Sequence, residues 1–261
     1  MTIVPSENSP ESDVQLTARV NAGWQVVRIA EHCSAEIGLA RQRSLADQLM
    51  SQSAAPALMI WRCQPALLVT RSETRLPRFA SAAAEMQAAG WPVLLRQSGG
   101  GACPVGSETV QVSMIEAASP GATMTAKYGA LSKLIQDALC FFQIVARPGP
   151  VAGAYCPGNY DLAVRGKKIA GMSQHWFRNR CGIRCIVTAA SINVDEPPDV
   201  LADAVNRFYS SAGSALRCQA DVLTNMRLCG AAADLGGLDL AAACMNRLSS
   251  KPHSVAALQH I

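Results

Sequence analysis

Ala154-Tyr155-Cys156-Pro157-Gly158-Asn159-Tyr160-Asp161-Leu162-Ala163-Val164-Arg165-Gly166-Lys167-Lys168-Ile169-Ala170-Gly171-Met172-Ser173-Gln174 holds a folding instruction and a chemical one. Leu162-Ala163-Val164 and Ile169-Ala170 are short apolar runs on either side of Gly166, a spacing that predicts a β-hairpin turning at Arg165-Gly166. Pro157 and Gly158 suit a central strand poorly, so Cys156 is expected on a loop that turns away from the hairpin. In a straight segment, pairing across the turn leaves Cys156 about seven residue steps from Lys168, roughly 23 Å at about 3.3 Å per residue. A thiol and an ammonium that far apart cannot share a substrate. Joint chemistry therefore requires the Pro-Gly break to fold the chain back on itself.

Upstream, Trp91-Pro92-Val93-Leu94-Leu95-Arg96 reads as a strand entering Gln97-Ser98-Gly99-Gly100-Gly101-Ala102. Three glycines let backbone approach a ligand closely and adopt angles closed to other residues, although a glycine triplet also fits a simple turn.

Together these stretches resemble the biotin/lipoate protein ligase and acyltransferase superfamily. Its Gly-(Arg/Lys)-Lys-(Ile/Val/Phe)-x-Gly motif is Gly166-Lys167-Lys168-Ile169-Ala170-Gly171 here, with Lys168 in the place of the essential lysine. Its Arg-Arg-x-Ser-Gly-Gly-Gly-Ala matches at Arg96 and at Ser98 to Ala102, with Leu95 replacing the first arginine. Tyr155-Cys156-Pro157-Gly158, followed by Tyr160-Asp161-Leu162, is most similar to the branch that moves octanoyl groups from the glycine-cleavage H protein to other lipoyl domains through an acyl-cysteine. The resemblance covers roughly residues 23–209. It implies an α/β (α+β) fold of the biotin/lipoate protein ligase type, a mixed central sheet flanked by helices.

ATP-using members of the superfamily follow the glycines with His-Asp and then Gly-Asn. This chain has Cys103-Pro104-Val105-Gly106-Ser107-Glu108-Thr109 instead, and Gly106 stands where the cysteine-dependent branch also keeps an aspartate. An adenylating site needs donors and charge around the phosphates, so nucleotide use is in question. Ser113, in the expected strand Val110 to Ile115, matches a serine common to both branches.

With 261 residues, 49% hydrophobic and 16% charged, the chain can bury one substantial core, and it has no apolar run long enough to span a bilayer. A net charge of +4 from scattered basic residues gives no footprint for nucleic acid, but suits an acidic protein partner. Residues 1–10 lack the charged head and apolar middle of a secretory signal, so the protein is expected in the cytoplasm. Ten cysteines in a chain of this length read as small buried hydrophobes rather than a disulfide framework. Cys181 and Cys185, with His175 nearby, make a poor metal set, and the adjacent Asp195 and Glu196 diverge in an extended chain.

The organisation expected is a lead-in over 1–22, loose or partly strand-like, a catalytic domain over 23–215, and a helical accessory segment over 216–261. Within the domain, Gly23 to Ile29 reads as an edge strand, and Ser34 as the N-cap of a helix running to Ser51. Ala57 to Trp61 and Ala66 to Thr70 read as neighbouring buried strands. Pro77 suits the first turn of a helix that stops at Gly90. Thr123 to Phe142 is an amphipathic helix, Ile183 to Val187 a strand, and Pro197 to Tyr209 a helix.

The resemblance makes Cys156 a nucleophile that takes an octanoyl or lipoyl group from one lipoyl-domain lysine and passes it to another. Lys168 would donate to the developing oxyanion, helped by backbone N-H groups of the Gly99 to Gly101 loop. Arg96, Ser98, Gly99, Gly100, Gly101, Ala102, Gly158, Asp161, Gly171 and Gln174 complete the expected acyl and substrate site. Asp161 either orients the lysine or accepts from backbone. Lys167 faces solvent, and His175 reads as a surface histidine rather than a base. The partners implied are the glycine-cleavage H protein and 2-oxoacid dehydrogenase E2 subunits, with no nucleic acid and no membrane. No cofactor is required. ATP and Mg enter only under the alternative of an ATP-dependent lipoate ligase, and a third reading is an inactive module that binds lipoyl domains.

Overall fold

A computed structural model describes residues 14–19, 23–232, 234 and 236–249. In chain order the first elements are β1 (Val14–Arg19), β2 (Gln25–Cys33), α1 (Ala35–Asp47), β3 (Ala57–Cys63), β4 (Ala66–Val69) and α2 (Phe79–Ala88). They are followed by β5 (Val93–Leu95), β6 (Cys103–Val105), β7 (Thr109–Ala117), α3 (Met124–Phe141) and β8 (Arg147–Pro148). The chain continues through β9 (Leu162–Val164), β10 (Lys167–Arg178), β11 (Arg184–Asn193), α4 (Pro198–Ala212) and α5 (Gly237–Ser249).

Eight strands form one mixed sheet in the order β1-β2-β3-β7-β11-β10-β9-β8, and β5-β4-β6 form a second, smaller sheet. This is the mixed sheet with flanking helices that the resemblance implied. Strand β3 shows why it is buried on both sides. Successive side chains of a strand point to opposite faces. Met59 and Trp61 join the core shared with α1, α4 and the small sheet, while Leu58 and Ile60 join the core shared with α3 and α5. Both faces being covered, the strand reads as an unbroken apolar run rather than an alternating one.

The hairpin forms as predicted. Val164 pairs with Lys167, and the turn residues Arg165 (φ 50°) and Gly166 (φ 79°) both adopt the left-handed conformation that a tight primed turn demands. Ser34 caps α1, its Oγ accepting from the Ile37 N-H at 3.3 Å. Thr123 caps α3 in the same way, from Ala126 N-H at 3.2 Å. The helix after Pro77 begins at Phe79, and the strand expected to end at Val187 runs on to Asn193.

Two expectations change. The segment at 23–29 is not an edge, because β1 pairs with β2 antiparallel and takes that position. The strands at 57–61 and 66–70 are not neighbours. Pro65 falls at the point where the chain leaves the large sheet, and β4 pairs with β5 and β6. Trp61 and Leu68 nonetheless line one slot, from different sheets. Beyond residue 215, Leu223, Met226, Leu240, Ala241 and Cys244 are buried, and Thr224 N-H donates to the Lys168 carbonyl at 2.9 Å. This stretch shares the core of the preceding residues. Residues 1–13 of the expected lead-in, and 250–261 of the expected final segment, lie outside the described residues. Among the described residues no helix is long and apolar enough to cross a membrane.

Candidate active site

The loop after Val151 doubles back, as joint chemistry required. Lys168 Nζ lies 2.8 Å from the Tyr155 carbonyl, 3.2 Å from the Cys156 carbonyl and 2.7 Å from Asp161 Oδ2. Cys156 has φ 41°, a left-handed conformation rare for a residue with a Cβ, and it persists only where the surroundings over-determine it. Here the buried ammonium, clasping two successive carbonyls, does so. Asp161 fills both roles that its sequence left open. Oδ2 accepts from Lys168 and from the Gly158 N-H at 2.9 Å, and Oδ1 accepts from the Met172 N-H at 3.1 Å. Lys168 and Asp161 are 2% and 1% exposed, so this ion pair is almost wholly dry. Lys167 is exposed.

An ammonium has three N-H donors, and all three of Lys168 are engaged by oxygens of its own chain. Lys168 lines the slot beside Cys156 and at the same time holds the loop that carries it. The groups at the sulfur are others. Gly101 N-H donates to Cys156 Sγ at 3.1 Å, and Arg96 Nη2 at 3.3 Å. The same Nη2 also donates to the Gly101 carbonyl at 2.8 Å, and Nη1 to Ser98 Oγ at 3.3 Å. Arg96 Nε is buried with no hydrogen-bond partner.

The glycines are not equivalent. A Cβ on Gly100 (φ 108°) would lie 2.6 Å from Cys156 Sγ and 2.8 Å from Arg96 Nη2, so this residue has to be glycine for the sulfur to sit where it does. A Cβ on Gly101 would meet the Tyr209 hydroxyl at 3.0 Å, and one on Gly99 would meet nothing within 4 Å. Ala102 is buried away from the slot, its N-H bound to Tyr209 Oη at 3.0 Å.

The slot runs from Cys156 along the large sheet. Its floor is built from strand registers: Gly171, Ser191, Gln111 and Trp61 in one row, Ser173, Ala189 and Ser113 in the next, then His175 and Val187. Leu39, Gln42 and Arg43 of α1, with Leu68, Cys103 and Val105 of the small sheet, enclose it. Gly171 to His175 is about 13 Å of strand, enough for an extended medium-length acyl chain. A Cβ on Gly171 would lie 3.2 Å from Lys168 Nζ.

Gln174 is on the wrong side. Ser173, His175 and Phe177 face the slot, so by alternation Gln174 faces α3, where Nε2 donates to Thr188 Oγ1 at 3.0 Å and Oε1 accepts from Trp176 Nε1 at 2.6 Å. Gly158 also stays off the slot, under the Asp161 carboxylate. His175 is half-buried. It lines the far end, stacked on Phe177 at 4.7 Å, with Arg43 over the same Phe177 ring at 4.3 Å. Burial and then the Arg43 charge lower its pKa. Seven residues of strand, roughly 23 Å, separate it from Lys168.

The sequence did not reveal Gln42, whose Nε2 donates to Ser113 Oγ at 2.8 Å inside the slot, nor Tyr209 and Glu73 behind the glycine loop. Helical spacing on α1 and α4 carried a signal for burial only. Cys103 also lines the slot, and burial pushes its thiol up to about 11. Glu196 Oε2 lies 2.1 Å from where a Cβ on Gly106 would be, and it accepts from the Glu108 N-H at 2.9 Å. Asp195 pairs with Arg227 at 2.9 Å. Among the described residues no three His, Cys, Asp or Glu side chains gather as metal ligands.

With this geometry in hand, similarity to known proteins becomes informative. The chain is 28% identical over 170 residues to an octanoyl-(GcvH):protein N-octanoyltransferase of Anoxybacillus flavithermus, covering 62% of this chain and 61% of that protein. It is 27% identical over 213 residues to the protein of the same name in Kyrpidia tusciae, covering 78% and 73%. The chain thus spans about three fifths of the first relative's length. Among solved structures, a bi-partite lipoate protein ligase with its E2 lipoyl domain from Thermoplasma acidophilum superposes with a TM-score of 0.62 at 16% identity, over 88% of this chain and 83% of that one, a likeness of fold. A family model described as the lipoyl protein ligase A/B catalytic domain matches residues 34–220, and the chain belongs to that family.

Proposed function

We propose that the protein transfers an octanoyl or lipoyl group between lysines of lipoyl-domain proteins through a thioester on Cys156, without a nucleotide. The relatives named for octanoyl transfer from the H protein support the donor, and the E2 lipoyl domain of the Thermoplasma system supports the acceptor class. The observation that carries the reading is the sulfur itself. It stands at the end of an acyl-sized slot, beneath a backbone N-H and a guanidinium.

In the first half-reaction the sulfur, having lost its proton, adds to the amide carbonyl carbon of the acylated donor lysine. The groups beside the sulfur that can meet the oxygen as it becomes negative are the Gly101 N-H and the Arg96 guanidinium. Collapse of the tetrahedral adduct breaks the C-N bond, and the departing donor amine takes up a proton. In the second half, the neutral amine of an acceptor lysine attacks the thioester, expels the sulfur and gives up its extra proton. Lys168 and Asp161 hold the loop that presents the sulfur. Cys103, Pro104 and Val105 give β6 an apolar, buried face where an adenylating relative has polar groups. This donor set does not fit ATP and Mg.

The test offers the protein octanoylated H protein or free octanoate, an apo lipoyl domain, and ATP or none. Transfer from H protein without ATP is the expected result. Transfer only from the free acid with ATP would make it a ligase. No transfer under any condition would leave a binding module.

A further inference from the structure

Tyr209 and Glu73 carry no motif, yet they sit directly behind the loop that meets the sulfur. The Gly101-Ala102 peptide is gripped at both ends. Its carbonyl accepts from Arg96 Nη2 at 2.8 Å, and its N-H donates to Tyr209 Oη at 3.0 Å. Tyr209 Oη in turn donates to Glu73 Oε1 at 3.4 Å. Glu73 Oε2 is fixed by Thr70, accepting from its N-H at 2.8 Å and its hydroxyl at 2.6 Å. All three residues are buried, in a chain that starts just after β4 and ends on α4. Burial pushes the Tyr209 hydroxyl up to about 12, so it stays protonated and keeps its donor to Glu73 at neutral pH.

The glycine run needs such an anchor. Gly99 and Gly100 are exposed, and consecutive glycines leave peptide planes free to rotate. Only when the plane after Gly101 is fixed does the N-H before it stay aimed at Cys156 Sγ, 3.1 Å away. We propose that Tyr209, backed by Glu73, is a positioning residue for the reaction: it clamps the Ala102 N-H so that the neighbouring Gly101 N-H remains on the sulfur. The inference rests on the reading of Cys156 as nucleophile.

The test is Tyr209→Phe, with steady-state transfer measured against donor concentration. The expected result is a fall in kcat on the order of tenfold, smaller than the loss from deleting a donor outright, with an unchanged KM for the acyl donor and a thermal midpoint near that of the unaltered protein. An unchanged kcat, or a raised KM with kcat intact, would overturn the proposal. If Tyr209→Phe folds poorly, Glu73 decides. Glu73→Gln keeps an acceptor for the tyrosine and is expected to restore most of the kcat that Glu73→Ala loses, whereas equal kcat in the two overturns it. Cys156→Ser, run alongside, separates the two claims. Full turnover there removes the requirement for the sulfur on which the clamp proposal rests, while an inactive Cys156→Ser beside an unimpaired Tyr209→Phe removes only the clamp.

Discussion

At the Cys156 end of the slot every polar atom of Lys168 and Asp161 is matched to a named partner, and the backbone is held in a left-handed conformation at the residue that carries the sulfur. At the far end, His175 stacks on Phe177, Arg43 lies over the same ring, and Gln42 hydrogen-bonds Ser113. One end is built to fix an atom and the other to accommodate a chain. Substitutions at the first should therefore act on rate and fold, and those at the second on which acyl group is held and how tightly.

The largest effect is expected at the dry ion pair. Lys168→Met strands a buried Asp161 carboxylate, and breaking such a pair costs about 3–5 kcal/mol. Denaturant titration should show that loss together with abolished transfer, and adding Asp161→Asn should recover stability but not activity. Recovery of both would mean that the pair is dispensable scaffolding. Next is Gly100→Ala, where the new methyl collides with the sulfur. Single-turnover acylation should slow by on the order of 100-fold in a protein that still folds, since misplacement by about 1 Å has that effect on an aligned reaction. An unaffected rate would mean that the loop does not set the sulfur's position.

At the far end the effects shrink. Gln42→Ala removes one hydrogen bond, about 1 kcal/mol, and should raise KM for the acyl donor roughly fivefold with kcat unchanged. A fall in kcat alone would erase the distinction between the two ends. The smallest effect concerns pH. Burial and Arg43 lower the pKa of His175 in the folded protein below the ordinary value of about 6.5, so the unfolded chain binds its proton more readily. Its contribution to stability is full above about pH 6.5 and is lost as pH falls through the lower, folded value. His175→Gln should flatten the stability profile in that acidic window, and a profile identical to that of the unaltered protein would place the ring in water.

What the sequence displayed was mostly local. Arg165-Gly166 between apolar runs, Ser34 ahead of a helix, and Pro157-Gly158 beside a thiol each act through their own backbone, and each was legible. The division into two sheets was not, because Ala57–Trp61 and Ala66–Val69 are equally apolar and nothing in either run says which neighbour it pairs with. Gln174 was misplaced by treating a motif as a patch, although a strand turns each successive residue to the other face. Lys168 was recognised, but a lysine so close to a hairpin turn gave no sign that its charge would be wholly buried. Tyr209 and Glu73 were invisible for a different reason. They are 136 residues apart and meet only through the fold.

The central claim is that acyl transfer passes through a bond to one sulfur. The most direct measurement is the intact mass of the protein after mixing with octanoylated H protein, with any adduct mapped to a residue. The account predicts a single octanoyl adduct on Cys156 that disappears when apo lipoyl domain is added and never forms in Cys156→Ala. Undiminished transfer by Cys156→Ala, or an adduct on any other residue that is turned over at the rate of the reaction, would contradict it.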